Sequence, residues 1–468
     1  MEAFQDTGTF WLPERPERSV SGTLSFDPVS GCRLELIGAL FEHDLPGIDH
    51  GAKRVVGVAN RDLVTLEECL LIDAVRNFPG GSAETWSPAK IFRGMNLTAS
   101  DELNFDQVYF ELDGLLEWIG QSGLQRQFIE EAGEIAGVVF TYRRVPGLEV
   151  AVPSGERLEL RFSWATSGDS RHEATVRQYC SLGIRWPEPV PLEAILRDVK
   201  AFQDLLTMAI GRSSDHRSVV LHRPDMANTA GDNIYPQAIE FFASSAGARA
   251  SGDEPIGPHK LLFSLTDLGG IGFLARWLVM SRAYRAAVNS LLSIRHQPGM
   301  YAQNRFANAI TAAETLHRLK FPGPAIPAAD YEPVRKALIQ SVPPAMRGTI
   351  APRLQFANEP FLSQRLKDLL TLTGQVGEAL VGGKGWARIV TAVRNRLTHL
   401  DADEEMLATG EDMYYLAESL YVVVVVCLLI EAEAPDEALN RVAQNQTVQL
   451  VASHLPEMLE RLAPMLQS

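Results

Sequence analysis

Over the first 190 residues apolar and polar positions change places in short runs. SGTLSF, CRLELIGALF, KRVVGVA, KIFRGMNLT, FDQVYFEL, GVVFTYRRV, ERLELRFSWA and ATVRQYCSLGIRW are alternating or β-branched, and clusters of Gly, Pro, Asp and Ser separate them. A period of two sorts side chains onto the two faces of an extended chain, so these segments predict strands. Their number and spacing predict a β-rich domain over residues 1–190, a sandwich or a barrel. After Pro189-Val190-Pro191 the period lengthens: Ile195, Val199, Phe202, Leu205 and Leu206 fall on one helical face, which predicts a helix at Leu192–Ile210. SVVLHR, QAIEFFAS and HKLLFSL then predict three more strands, so that residues 191–267 complete the N-terminal region as a connecting helix and strands.

From Leu268 the pattern is helical. Phe273, Trp277, Met280, Tyr284, Val288 and Leu291 recur at intervals of four and three, which predicts a helix at Gly272–Ile294. Phe306, Ile310, Ala313 and His317 make the same stripe on a second. Further helices are predicted at Ala329–Ser341, Phe361–Thr373, Trp386–Leu400, Glu411–Glu433 and near Ser453–Leu466, with FPGPAIP and VGGKG as joints. Residues 268–468 thus read as an all-α bundle, and the chain as an α+β multidomain protein without internal repeats. The longest apolar run, Leu420–Ile430, is shorter than the roughly 20 residues a membrane helix needs and has Glu418 and Glu431 at its flanks. It reads as a buried core helix, although its valines favour strand.

Composition narrows the class. The chain has 468 residues, 46% of them hydrophobic and 22% charged, which excludes disordered and fibrous proteins. Cys32, Cys69, Cys180 and Cys427 are too scattered for a disulfide framework or a zinc site, and the acidic start MEAFQDTGTFWLPE is neither a secretory signal nor a transit peptide. A reducing, cytoplasmic setting is expected.

The net charge of −15 excludes a uniformly basic nucleic-acid coat, but it is unevenly spread. Residues 1–267 carry 24 basic and 39 acidic residues. From Ile271 to Leu400 there are 17 basic and 6 acidic residues, a net of +11, and from Asp401 to Ser468 there are 2 and 13, a net of −11. Arginine supplies 13 of the 17 cations, and its planar fork suits phosphate. The block is either a polyanion surface or a set of cations that pair with the acidic tail on folding.

At the end of that block stands Arg394-Asn395-Arg396-Leu397-Thr398-His399. A histidine can exchange a proton with a 2′-hydroxyl or a leaving 5′-oxygen, and an arginine can neutralise charge growing on the phosphate, which is what RNA cleavage without a metal requires. The spacing alone is weak, because Arg217 and His222 repeat it in a strand-like, acidic stretch. Five residues place Arg394 and His399 about 140° apart on a helix, so they converge on one phosphate only if the arginine reaches round, the helix end unwinds or a second subunit supplies the complement. Otherwise His399 is a helix-end histidine at its own carboxyl terminus. Glu314 falls on the apolar face beside Ile310 and Ala313, where a carboxylate wants a cation; it either orients Arg394 or Arg396 or forms a partly exposed salt bridge.

Other signals point nowhere. Gly382-Gly383-Lys384-Gly385 lacks the spacing of a phosphate loop, Gly269-Gly270-Ile271-Gly272 is not a dinucleotide fingerprint, and both read as turns. The histidines do not cluster at metal-ligand spacing, so neither a metal nor a cofactor is expected. Trp11, Trp86, Trp118, Trp164 and Trp186 read as core of the β-rich domain.

The opening Gly8-Thr9-Phe10-Trp11-Leu12-Pro13-Glu14, with Gly22-Thr23-Leu24 and the strand Leu34–Phe41, resembles the N-terminal domain of ApeA-family anti-phage abortive-infection proteins. The C-terminal half resembles their α-helical HEPN domain, an RNase module whose signature of arginine, polar residue and histidine falls on Arg394, Asn395 and His399. Arg305-Phe306-Ala307 through Glu314-Thr315-Leu316-His317-Arg318 is similar to the family's second conserved helix with its acidic residue. The resemblance implies a metal-independent endoribonuclease that dimerises through its HEPN bundle, pairs two Arg/His sets and stays silent until infection, with a phage-derived trigger as a further partner and no membrane. His399 would then move the proton, Arg394 stabilise the phosphorane-like transition state, Asn395 position the phosphate or Arg394, and Glu314 orient the arginine. Arg388 and Arg396 would hold RNA, and the products would be a 2′,3′-cyclic phosphate and a 5′-hydroxyl. The alternative is an inactive HEPN module that binds RNA, a nucleotide or a partner protein.

Overall fold

Six strands curl into a closed antiparallel barrel, three of them the alternating segments SGTLSF, CRLELIGALF and KRVVGVA. The six are β1 (Phe4–Trp11), β2 (Val20–Asp27), β3 (Gly31–Ile37), β4 (Gly51–Ala59), β5 (Asp62–Arg76) and β6 (Ser82–Ser87), in the order β5-β4-β1-β2-β3-β6 with β6 returning to β5. The computed structural model describes residues 1–41, 51–76, 81–169, 171–230, 233–243, 256–381, 385–398 and 408–466. The inward set, including Phe10, Leu24, Leu34, Val55, Val64 and Trp86, is fully buried. Two barrel glycines have a steric role here. Gly8 faces Gly22 across β1–β2 and Ala59 across β1–β4, and a Cβ on it would collide with the Val58 carbonyl. A Cβ on Gly57 would stand 2.6 Å from the Phe10 ring.

β5 also carries the chain out of the barrel. Its Val64–Glu67 half pairs with β7 (Lys90–Arg93) and its Leu70–Arg76 half with β6, and at the changeover Glu68 adopts φ 53°. The remaining strands are β8 (Asn104–Leu112), β9 (Leu124–Glu131), β10 (Glu134–Tyr142), β11 (Leu148–Ala151), β12 (Arg157–Ser167), β13 (Thr175–Pro191), β14 (His216–His222), β15 (Ala227–Ala230), β16 (Asn233–Pro236) and β17 (Ile239–Ala243). From β7 the sheet continues β17-β14-β8-β13-β12-β11, while β9–β10 and β15–β16 are separate hairpins.

A short helix α1 (Leu115–Ile119) precedes α2 (Leu192–Ile210), whose apolar stripe packs on β8 and β13, with Phe202 and Phe110 centroids 6.2 Å apart. It starts after Pro191 and stops at Gly211, whose φ of 73° closes the helix, as the flanking residues predict. HKLLFSL, expected as a strand, is not one: Pro258–Lys260 is a 3-10 turn and irregular chain follows. Leu261, Leu262, Phe263 and Leu265 are buried nonetheless, and a short apolar run reports burial without specifying the backbone.

Two compact units result. One comprises Met1–Pro258, Ser264–Thr266 and Gly270–Val279; the other comprises His259–Phe263, Asp267–Gly269 and Met280–Ser468. The helices are α3 (Ile271–His296), α4 (Ala302–Lys320), α5 (Ala328–Ser341), α6 (Pro344–Gln355), α7 (Leu362–Val381), α8 (Trp386–Thr398), α9 (Gly410–Glu431), α10 (Asp436–Gln444) and α11 (Gln446–Leu462), followed by a 3-10 turn, Ala463–Leu466. The region is therefore β-rich first and helical second, as the patterning predicts. The helix expected to end at Thr373 runs on to Val381 past Gly374, which breaks the helical geometry with φ 55°.

α9 organises the second unit. Thr409 and Asp412 form a reciprocal capping box that starts it, and α4, α7 and α11 cover it. Leu416 to Leu429 are all buried, so the valines pay no penalty for lacking a polar face, and packing overrides their strand preference. By length and apolarity α9 could cross a bilayer, but most of that stretch is buried within the protein.

Candidate functional site

α8 starts after Gly385, which takes φ 128°, and turns Trp386, Ala387, Ile389, Val390 and Val393 into the core. The indole N–H of Trp386 donates to the Ser419 hydroxyl at 2.9 Å, tying the helix to α9. Its opposite side carries the cations. Arg388 is exposed, Arg394 and Arg396 are half-buried and Asn395 is exposed.

Arg394 donates from Nη1 to Oδ1 of Asn395 at 3.4 Å. The Thr398 hydroxyl reaches the carbonyls of both Arg394 and Asn395 at 3.0 Å, a local bond within the last turn. Arg396 places a cation at the negative end of the helix dipole. The structure thus brings Arg394 and Asn395 together; His399 lies outside the described residues, as do Gly382, Gly383 and Lys384. One turn into α8, Arg388 borders a cavity of about 700 Å³ between α7, the start of α8 and the closing turn, where Lys367 and Glu378 also lie.

Glu314 does not meet its expected partners within the chain. It sits half-buried on α4, which packs chiefly on α9 and α7, and it forms no hydrogen bond or ion pair with Arg394 or Arg396 among the described residues. The polar centre of α4 is instead His317, which is 1% exposed. Arg365 Nη1 lies 3.3 Å from its Nδ1 and Asp368 Oδ2 lies 2.9 Å from its Nε2. A guanidinium only donates, so Nδ1 is the acceptor of that contact and the Nε2–H donates to the Asp368 carboxylate. Arg365 also holds Glu359 at 3.0 Å and the Pro360 carbonyl at 3.0 Å, and Gln364 donates to the other oxygen of Asp368 at 2.7 Å.

A second network, which the sequence pattern does not disclose, sits on α9. Glu418 is 3% exposed, and Arg295 grips it with two bonds of 2.8 and 2.6 Å while Arg305 approaches at 3.3 Å. Arg295 also stacks 3.9 Å over the Tyr421 ring. Burial opposes its charge, but Tyr421 and Glu418 outweigh burial and raise its pKa. Lys320 pairs with Glu431 at 2.6 Å, and Tyr284 donates to the same carboxylate at 2.9 Å, its own pKa pushed up to about 12 by burial and by that bond.

The two readings of the basic block therefore divide by residue. Arg295, Arg305 and Lys320 are neutralised by carboxylates of the acidic tail, and Arg318 and Arg365 share Glu359 inside the block. The Arg394 guanidinium has only the neutral Asn395 as a hydrogen-bonding partner among the described residues. The other Arg/His pair is separated by the fold: Arg217 is bound to Asp113, and His222 uses Nδ1 on the Gln237 carbonyl at 2.9 Å. Among the described residues no three His, Cys, Asp or Glu side chains gather as metal ligands, and all four cysteines are buried free thiols.

Two family models match the chain. That of the ApeA N-terminal domain 1 covers residues 7–277, from the first barrel strand into α3. That of the ApeA-like HEPN domain covers residues 307–438 and encloses α8. No curated protein and no solved structure matches.

Proposed function

The chain belongs to the ApeA family, with an ApeA-like HEPN domain behind its β-rich region, and on that premise we propose that it is a defence endoribonuclease that cuts RNA by attack of the 2′-hydroxyl. The observation that carries this reading is the state of Arg394. Where Arg295, Arg305, Lys320 and Arg365 are bound to carboxylates, the Arg394 side chain is held half-buried beside a neutral amide, available to an incoming phosphate.

In this mechanism His399 accepts the 2′-hydroxyl proton or returns one to the 5′-oxygen. Arg394 neutralises the charge that builds on the non-bridging oxygens, and Asn395 fixes the guanidinium. Arg388 and Arg396 contact the RNA backbone. On an ideal helix five residues would set Arg394 and His399 about 140° apart; of the ways to bring both onto one phosphate this reading takes the two-subunit one, in which two copies of the HEPN unit pair in a homodimer and each phosphate is served by both.

Cleavage of RNA by the wild type, Arg394→Ala and His399→Ala in the presence of a chelator tests the reading. Cleavage by the wild type that either substitution abolishes supports it. Equal cleavage by all three overturns the assigned chemistry, and wild-type RNA binding without cleavage would assign the domain to the binding modules instead.

A further inference from the structure

The β9–β10 hairpin is exposed along both faces, and the two faces differ. Leu124 pairs with Tyr142, Arg126 with Phe140, Phe128 with Val138 and Glu130 with Ile135, so these four rungs share one face. The other face carries Gln125, Gln127, Glu131, Glu134 and Thr141 around Ile129 and Val139. A bulge makes this sorting possible. The register shifts between Ile135 and Gly137, and the extra residue, Ala136, returns Ile135 to the face of Val138 when strict alternation would send it to the other. The result is an uncovered apolar face on which Phe140 is 66% exposed and Ile135 64%. At its base Tyr142 meets Trp164 at 5.5 Å, which leaves the outer three rungs open.

The charges on that face identify what covers it. Arg126 stands one rung below Phe128 and Glu130 one rung above it. Two identical hairpins laid face to face must be related by a two-fold axis in the plane of contact. An axis running along the strands would place Arg126 on Phe140 and Glu130 on Ile135 of the other copy, burying charges against apolar groups at a cost. An axis running across the strands at the Phe128–Val138 rung reverses the copies. It sets each Arg126 over Glu130 of the second copy, each Phe140 over Ile135, and Phe128 and Val138 over themselves. Each of the three open rungs then meets its complement.

We infer that this face is a self-association surface, occupied by the same hairpin of a second copy of the chain in the antiparallel arrangement. The three open rungs span only about 14 Å of strand, so the buried area falls below the roughly 800 Å² per partner of a standard interface, and the contact by itself is weak and concentration-dependent.

The four native cysteines are buried, so a cysteine placed on the hairpin is the only accessible thiol of the described chain. Val138 and Val139 are neighbours of equal exposure, 43% and 42%, on opposite faces. In the full chain Val138→Cys, at the axis, should give a covalent dimer with a short bis-maleimide, at least several-fold above Val139→Cys. Adding Arg126→Glu should lower that yield, and adding Arg126→Glu with Glu130→Arg should restore it. Both charged residues are exposed, so recovery by the swap separates the contact from misfolding. Equal yields from the two cysteine variants, as expected if the face meets a membrane or an unrelated protein, would overturn the inference. So would a yield insensitive to the charge reversal, or one the swap does not restore.

Discussion

Arg295 holds Glu418 through two parallel hydrogen bonds of 2.8 and 2.6 Å in the interior of the helical unit, the guanidinium from α3 and the carboxylate from the most apolar helix of the chain. A buried pair of this kind contributes little net stability relative to an apolar substitute, but removing one partner strands the other. Glu418→Ala should therefore cost about 3–5 kcal/mol in the unfolding free energy. Denaturant titration of the helical unit measures it. A loss within 1 kcal/mol, on the order of an exposed pair, would show that the network is solvated.

The barrel glycines make a different prediction. Gly57→Ala puts a methyl group 2.6 Å from the Phe10 ring, where the wall is already filled, so either β4 or the ring must shift. Overpacking of this type costs about 1–3 kcal/mol. Gly133→Ala, at a turn where a Cβ meets no atom within 4 Å, separates the effects, because its cost comes only from φ 84°. Thermal unfolding of the two variants should rank Gly57→Ala as the more damaging.

His216 gives the N-terminal unit a pH dependence. Its Nε2 is buried with no hydrogen-bond partner, and burial first, then the Met1 ammonium and Lys200, push its pKa down to about 4, against the smaller opposing pull of Asp204 and Asp113. The unfolded chain, with an ordinary histidine pKa, binds the proton that the folded chain refuses. Stability contributed by the neutral ring is thus complete above about pH 6.5 and is lost as the pH falls toward 4, with a slope of at most about 1.4 kcal/mol per pH unit. His216→Gln should flatten the stability profile between pH 7 and 5; an unchanged profile would mean that the ring is hydrated.

Arg388 and Arg394 should separate binding from chemistry. Loss of a backbone contact weakens RNA binding without sequence preference and reduces the salt slope by about one, which is the expectation for Arg388→Ala, with the rate at saturating RNA unchanged. Arg394→Ala should leave binding nearly intact and lower the rate by about 10²–10³-fold. Single-turnover cleavage and filter binding across a salt series distinguish the two.

Much of the fold was legible because its signals are local. Pro191 and Gly211 bracket α2, and the stripe from Phe273 marks α3, which extends from Ile271 to His296. α6 escapes the pattern because Pro343, Pro344, Gly348 and Pro352 read as breakers, whereas Pro343 caps the helix, Pro344 opens it and Pro352 is tolerated inside it. Barrel closure is non-local: it depends on β5 changing partner at Glu68, which a single sequence does not mark. For the candidate site, the sequence supplied the residues of α8 and their helix, while the division of cations between tail and phosphate required the contacts of Arg295, Arg305 and Lys320 to be seen. Glu418 left one trace, a carboxylate bordering an apolar run, which is itself a sign of a buried cation.

The central claim, attack by the 2′-hydroxyl at a site built on Arg394 and His399, is tested most directly on an RNA that the wild type cuts at one position. Replacing the single ribose 5′ to the scissile phosphate by deoxyribose removes the nucleophile and nothing else. The account predicts that cleavage at that position stops, and that the unmodified RNA yields a 2′,3′-cyclic phosphate and a 5′-hydroxyl. Continued cleavage of the deoxy-substituted RNA at the same bond would contradict it.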